Sequence, residues 1–152
     1  MITRKTIIRP ADTTAYSVGD VINANGVTVP IVLDLGESAL EPWLLYSHVI
    51  SSNPAETPAI DMYFYSDSFT IAADNAAFSP SDSENANSFL GKISHSAWTA
   101  FANNKISSAK PDAPIEINPL TTSSRIYLVL VAASAYTPLS GEEITVKADI
   151  QR

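Results

Sequence analysis

Arg125-Ile-Tyr-Leu-Val-Leu-Val-Ala-Ala133 is the stretch that decides the fold. Ile126, Leu128 and Leu130 fall on one side of an extended chain, and Tyr127, Val129 and Val131 on the other, because successive side chains of a strand point to opposite faces. Its β-branched and aromatic content marks it as a core strand. Beyond it, Ile144 to Ile150 alternates cleanly, with Ile144, Val146, Ala148 and Ile150 inward and Thr145, Lys147 and Asp149 outward.

Toward the N-terminus the same period recurs. Ala59 to Tyr65 sets Ile60, Met62 and Phe64 against Asp61, Tyr63 and Tyr65. Trp43 to Ser51 carries Trp43, Leu45, Ser47 and Val49 on one face and Leu44, Tyr46, His48 and Ile50 on the other, which predicts a central strand covered on both sides. Tyr16 to Asn23 and Val27 to Leu35 flank Asn25-Gly26, a hairpin signal because both residues tolerate positive φ. Ile2 to Ile8 reads as the first strand, closed by Arg9-Pro10, and Phe69 to Ala73 as an extension of the sheet.

Phe89 to Trp98 returns to strand with Trp98 inward. Residues 102–123 are polar, with Pro114 to Asn118 as an edge strand, since proline cannot donate to a ladder. Prolines and glycines punctuate these runs at short spacing; Pro10, Pro54, Pro58, Pro80, Pro111, Pro114, Pro119 and Pro138 mark turns. Ser81-Asp82-Ser83-Glu84 has capping-box form, predicting one short helix over 82–89 stopped by Gly91. About eight strands in a chain of 152 residues describe an all-β, antiparallel, jelly-roll-like β-sandwich with at most one short helix. Residues 1–9 are expected to form a basic N-terminal strand or arm, and residues 10–152 a single β-sandwich domain.

There are no cysteines, so neither a disulfide framework nor a thiolate metal site is available. Charged residues make up 16%, below the roughly 25% of a typical soluble domain, and small polar residues replace them. Such a surface suits close contact with neighbours, because few ions must be desolvated. Net charge is −7, but Arg4, Lys5 and Arg9 precede the first acid, Asp12, which leaves the remainder at −10. That body repels phosphate, so nucleic acid is not an expected partner. Residues 1–9 have two readings: an arm docking on an acidic neighbour, or a first strand whose solvent face carries Thr3, Lys5 and Arg9. The interaction residues this nominates are Ile2, Arg4, Lys5, Ile7 and Arg9. Residues 1–9 lack the apolar run of a signal peptide, and Ile126 to Ala133, the longest apolar run, falls short of the ~20 residues of a membrane helix. No membrane association is expected.

Candidates for chemistry are few. His48 lies mid-strand, where a hydrogen-bonded core or interface imidazole is the plain reading; His95, in Ser94-His95-Ser96, offers a Ser–His pair for hydrolysis without a G-x-S-x-G elbow. Asp61 and Asp74 are a carboxylate pair to weigh for glycosides. Asp67, Asp74, Asn75, Asp82 and Glu84 supply oxygen ligands that would suit calcium, but lack EF-hand spacing and read equally as turn formers. Gly91-Lys92 lacks the upstream glycine of a phosphate loop. Trp43, Tyr63, Tyr65, Trp98 and Tyr127 offer a sugar-stacking platform or, at period 2, core. Pro111-x-x-Pro114 reads as a loop. No catalytic residue, cofactor or metal is expected.

Arg9-Pro-Ala-Asp-Thr-Thr-Ala-Tyr-Ser-Val-Gly-Asp-Val-Ile-Asn23 resembles an opening segment of small structural proteins of tailed bacteriophages. Met62-Tyr-Phe-Tyr followed by Ala73-Asp-Asn-Ala-Ala-Phe78 is similar to the same family, as is Tyr127-Leu-Val-Leu-Val through Ala135-Tyr-Thr-Pro-Leu-Ser-Gly141. The resemblance spans most of the chain in order and implies a β-sandwich virion component of capsid decoration or cement type. It offers no catalytic residues, and the basic first strand has no counterpart in it. The partner implied is the major capsid protein or another virion protein, with a homo-oligomer, such as a trimer, as a way to multiply contacts. The implied location is the virion, after synthesis in the host cytoplasm. Two other classes stand beside it: a carbohydrate-binding or fibre-associated β-sandwich module, and a hydrolase of cell-surface polymer.

Overall fold

In the computed structural model, which describes residues 2–36, 43–117 and 125–151, the 125–133 stretch forms the middle of one of two facing sheets. The elements are β1 (Ile2–Ile8), β2 (Val21–Ile22), β3 (Ile31–Asp34), β4 (Trp43–Ser51), β5 (Ile60–Tyr65), α1 (Asp82–Ser88), β6 (Phe89–His95), β7 (Thr99–Ala100), β8 (Lys105–Ala109), β9 (Ile115–Glu116), β10 (Arg125–Ala132) and β11 (Glu143–Gln151). One sheet has the order β1-β11-β4-β8-β7, with β9 also on β4; the other has β2-β10-β5-β6, with β3 also on β10. Every pairing is antiparallel. The all-β sandwich holds. The chain crosses between the sheets at most connections, but β5 and β6 follow one another in one sheet and β7, β8 and β9 in the other.

The core lies between the sheets. Ile126, Leu128 and Leu130 of β10 and Met62 and Phe64 of β5 meet Leu44 and Val49 of β4 and Ile144, Val146 and Ile150 of β11. The other face of β10 is apolar for a separate reason. Val129 and Val131 join Val21, Tyr65 and Ile71 in a second buried cluster, over which Phe69, Ala72 and Phe78 of the loop after β5 are laid. Phe69 to Ala73 is therefore a cover for the sheet and not a continuation of it.

Three expectations are corrected. The Asn25-Gly26 hairpin does not form, because β2 and β3 do not pair with each other. Both run along the same edge of β10, Val21 opposite Val131 and Ile31 opposite Leu128, as one strand interrupted by an excursion. Only Gly26 of the two turn residues has positive φ (70°), whereas the hairpin turn needs it at both. Next, β4 is central but covered on one side only. A bulge where Asp149 faces Tyr46 and Ile150 faces Leu44 shifts the phase, so Leu44 joins Ser47, Val49 and Ser51 inside while Tyr46 is exposed. Last, Gly91 is not the helix stop. Ser81 and Glu84 make both bonds of the capping box, and the chain leaves α1 at Phe89 directly into β6. Gly91 lies within that strand, where a Cβ would come within 2.8 Å of the Ile115 side chain.

Strand β8 was hidden in the polar 102–123 stretch, because Lys-Ile-Ser-Ser-Ala lacks an apolar stripe. The Pro114 to Asn118 edge strand is the two-residue β9; its end at Asn118 and the Pro119 turn lie outside the described residues. Trp98 packs inward as expected, and its Nε1 donates to the Pro58 carbonyl at 2.7 Å.

Just beyond β1, the chain is locked by a buried ion pair. The Arg9 guanidinium donates to Asp74 Oδ2 at 3.1 Å and to the Tyr16 hydroxyl, and the Tyr16 hydroxyl donates to Asp74 Oδ1 at 2.5 Å. The same oxygen accepts the Asn23 amide at 2.8 Å, and Tyr16 stacks on Tyr136 at 5.1 Å. One carboxylate thus ties three points of the 9–23 stretch to a loop far along the chain. Arg9→Ala leaves Asp74 buried without its counter-ion, and chemical denaturation is expected to show a loss of about 3–5 kcal/mol.

Candidate functional site

Pairing with β11 fixes where the nominated β1 residues point. Ile7 lies opposite Ile144 and is buried with it, so it belongs to the core and not to a docking surface. Arg9 is likewise no surface residue, being 2% exposed in its ion pair. Lys5 shares the Ile7 side of the strand but remains exposed at the sheet margin, over a groove of about 430 Å³ that Ala24, Val27, Val29 and Pro30 also line. Ile2 and Arg4 lie on the opposite, outer face with Thr6 and Ile8.

That outer face continues across the sheet in rows. One row is Ile2, Asp149 and Tyr46; the next is Arg4, Lys147, His48 and Ser108; the third is Thr6, Thr145, Ile50 and Ile106. Ile2 is 61% exposed, Ile8 57% and Tyr46 48%. Arg4 and Lys147 stand directly opposite each other, and neither makes a salt bridge among the described residues. Like charges opposed across strands repel. Desolvation, and then the Lys147 charge, push the His48 imidazole below its ordinary pKa; its Nδ1 meets Ser108 Oγ at 2.7 Å. The face thus carries exposed apolar side chains at its corners and a basic row, Arg4 and Lys147, with Asp149 in the row beside it.

The other sheet's outer face holds a concave feature. Tyr63, Tyr65, Phe78, Pro80, Asn85 and Phe89 line a groove of about 460 Å³ between α1 and the covering loop. Tyr63 lies 5.3 Å from Phe78, and Tyr65 lies 5.5 Å from Phe89. Burial pushes the Tyr65 phenol up to about 12, and its hydroxyl donates to Asn85 Oδ1 at 3.1 Å. Lys92, bonded to Asp61 at 3.1 Å, stands over the Tyr63 ring. Of the five expected stacking aromatics, this groove gathers Tyr63 and Tyr65. Trp98 and Tyr127 pack against the two clusters, and the Trp43 side chain lies outside what is described. Phe78 and Phe89 went unnoticed because neither sits at strand period with the tyrosines.

The residues weighed for catalysis and metal binding are dispersed. His95 is fully buried between the sheets, its Nε2 2.8 Å from Ser47 Oγ and its Nδ1 3.2 Å from Ser107 Oγ. It is a polar tie across the core that no substrate can reach in this structure. Asp61 serves Lys92 and Ser94, while Asp74 serves Arg9, Tyr16 and Asn23. Asp67 accepts from Ser66, Glu84 caps α1, and Asn75 takes positive φ (60°) in a turn. No group of three or more metal-ligating side chains occurs among the described residues, and no described helix is long and apolar enough to cross a membrane.

These features define a β-sandwich with one bare outer face and one covered, grooved face. The chain matches no family model and no curated protein. Among solved structures it is similar to the PRD1 vertex protein P5, at 14% identity over 96% of this chain and 94% of that one, with a TM-score of 0.33. It is also similar to murine APRIL, at 13% identity over 98% and 100% of the two chains, with a TM-score of 0.27. At these TM-scores neither likeness carries an argument.

Desolvation, with the nearby His48 next, lowers the His95 pKa to about 4, against roughly 6.5 in an unfolded chain. The unfolded state then binds the extra proton first, so stability is full above pH ~6.5 and falls by about 3 kcal/mol as the pH drops toward 4. Melting temperatures across that window are expected to show this slope in the wild type and to lose it in His95→Gln.

Proposed function

We propose that the chain is a non-catalytic structural component of a tailed-phage particle, a capsid decoration or cement protein that seats the outer face of its six-stranded sheet on an acidic patch of a capsid subunit. The observation that carries this reading is the opposed Arg4–Lys147 pair on an uncovered sheet, flanked by exposed Ile2, Ile8 and Tyr46. An acidic partner would relieve the repulsion, and the apolar corners would be buried around it. The resemblance of residues 9–23, 62–65 with 73–78, and 127–141 to phage structural proteins supports the same role. A stable contact of this kind needs about 1,000 Å² or more. Bridging several subunits, or forming a trimer, would turn modest contacts into firm retention.

The protein is expected to co-sediment with purified particles, and particles lacking it to open at lower temperature or on osmotic shock. The pair Arg4→Glu and Lys147→Glu should fold normally yet lose at least about tenfold in retention, since each tenfold is about 1.4 kcal/mol. Absence of the protein from purified particles overturns the proposal.

The aromatic groove favours a second reading, a carbohydrate-binding module on a fibre, because an exposed Phe89 beside half-buried Tyr63 and Phe78 in a concave site suits stacking on a sugar face. Phe89→Ala should then abolish glycan-array signal while the Arg4/Lys147 double variant keeps it. No glycan signal from the wild type removes this reading.

A further inference from the structure

The sandwich has one long, regular sheet edge that nothing among the described residues closes. At the other edges, β7 and β2 are two residues long, the four-residue β3 follows Pro30 directly, and the pairing of β6 slips between Phe64 and Tyr65. Short strands, prolines and bulges are what keep sheet edges from pairing with other chains. β1 has none of these: its seven residues pair with β11 in unbroken register, with no proline among them.

The ladder shows which backbone groups face outward. The Arg9 amide donates to the Glu142 carbonyl at 3.0 Å, and the Ser52 amide to the Glu143 carbonyl at 3.0 Å. Glu142 therefore faces the β1 side and Glu143 faces β4, and the alternation of an antiparallel pair carries this along both strands. Thr3, Lys5 and Ile7 turn their N–H and C=O groups to β11, while those of Ile2, Arg4, Thr6 and Ile8 point away from it. Those four have no backbone partner among the described residues. Beside the edge lies the groove of about 430 Å³, with Lys5 to Ile8 on one side and Val27, Val29 and Pro30 on the other. Lys5 is the one charged residue among those described that line it, and Arg4 stands on the outer face of the same strand.

We propose that the free edge of β1 takes up an extended segment of a partner protein as an added strand, with acidic side chains on the Arg4 face and apolar ones over Val27 and Val29. Backbone pairing supplies the affinity and alternate side chains the selectivity. Charge chooses the occupant. A second copy pairing β1 on β1 would bring two Arg4–Lys5 pairs together, which repel, whereas a carboxylate opposite Arg4 is attracted. This contact uses the edge of the sheet and is separate from the seating of its outer face.

The probe is a synthetic peptide as long as β1 that alternates glutamate with valine, titrated into the purified full-length protein and followed by fluorescence anisotropy and NMR amide exchange. In the free protein the Arg4, Thr6 and Ile8 amides are expected to exchange fast and those of Lys5 and Ile7 slowly; the peptide should slow the first set. A peptide with lysine in place of glutamate should not bind. Thr6→Pro removes an outward N–H while leaving both charges and the β11 ladder, so it should fold and bind at least about tenfold more weakly. Should it fail to fold, the glutamate peptide N-methylated at every residue has no ladder donor and should lose its binding to the wild type. The proposal is overturned by no binding to the wild type, by equal binding of the two peptides, or by undiminished binding in folded Thr6→Pro or of the methylated peptide. Slow exchange of Arg4, Thr6 and Ile8 in the free monomer, or self-association that Thr6→Pro dissolves, overturns it as well.

Discussion

A strand that is apolar on both faces must be covered twice, and β10 is that strand. Ile126, Leu128 and Leu130 need the opposite sheet; Val129 and Val131 need something on the outside. The chain meets the second demand with a loop, laying Phe69, Ile71 and Phe78 over the five-stranded sheet. The excursion between β2 and β3 helps hold that loop, since the Ile71 amide donates to the Thr28 carbonyl at 2.9 Å. With its own loop spent there, the chain lays no such cover, among the described residues, over the outer face of the six-stranded sheet. The asymmetry of the two faces follows from the composition of one strand.

The polar groups inside the fold act as ties between segments far apart in sequence. Asp74 binds the residue after β1 to the start of the second sheet, and His95 on β6 reaches Ser47 and Ser107 on the facing sheet. Buried polar groups must find partners, so each such tie permits fewer alternative packings than apolar contact alone. In His95 the tie also carries acid sensitivity, because an imidazole that folds neutral resists protonation only while the fold lasts.

Much of the architecture was legible in the sequence because alternation reports burial directly. β4, β5, β10 and β11 stand within a residue of their expected bounds, and the Ser81–Glu84 capping box forms both its bonds. Failures came where a local signal lacked tertiary information. Asn25-Gly26 is a turn, but nothing local says that both flanking strands prefer β10 to each other. Leu45 conceals a bulge that alternation cannot register. Arg9 read as solvent-facing because its counter-ion lies 65 residues away. The candidate surface was half visible: Lys147 was read as an outward strand residue and Arg4 as an interaction residue, but the β1–β11 register that opposes them exists only in three dimensions.

The interrupted edge strand has one more consequence. The chain is pinned to β10 by Val21 and Ile22 before the excursion and by Ile31 to Asp34 after it. Ladder alignment is therefore set independently of what runs between, and Asn25 and Gly26 at the tip are exposed. Extra residues inserted there would lengthen a protrusion without sliding any strand, which makes this tip a natural place for length polymorphism and for displaying a foreign epitope.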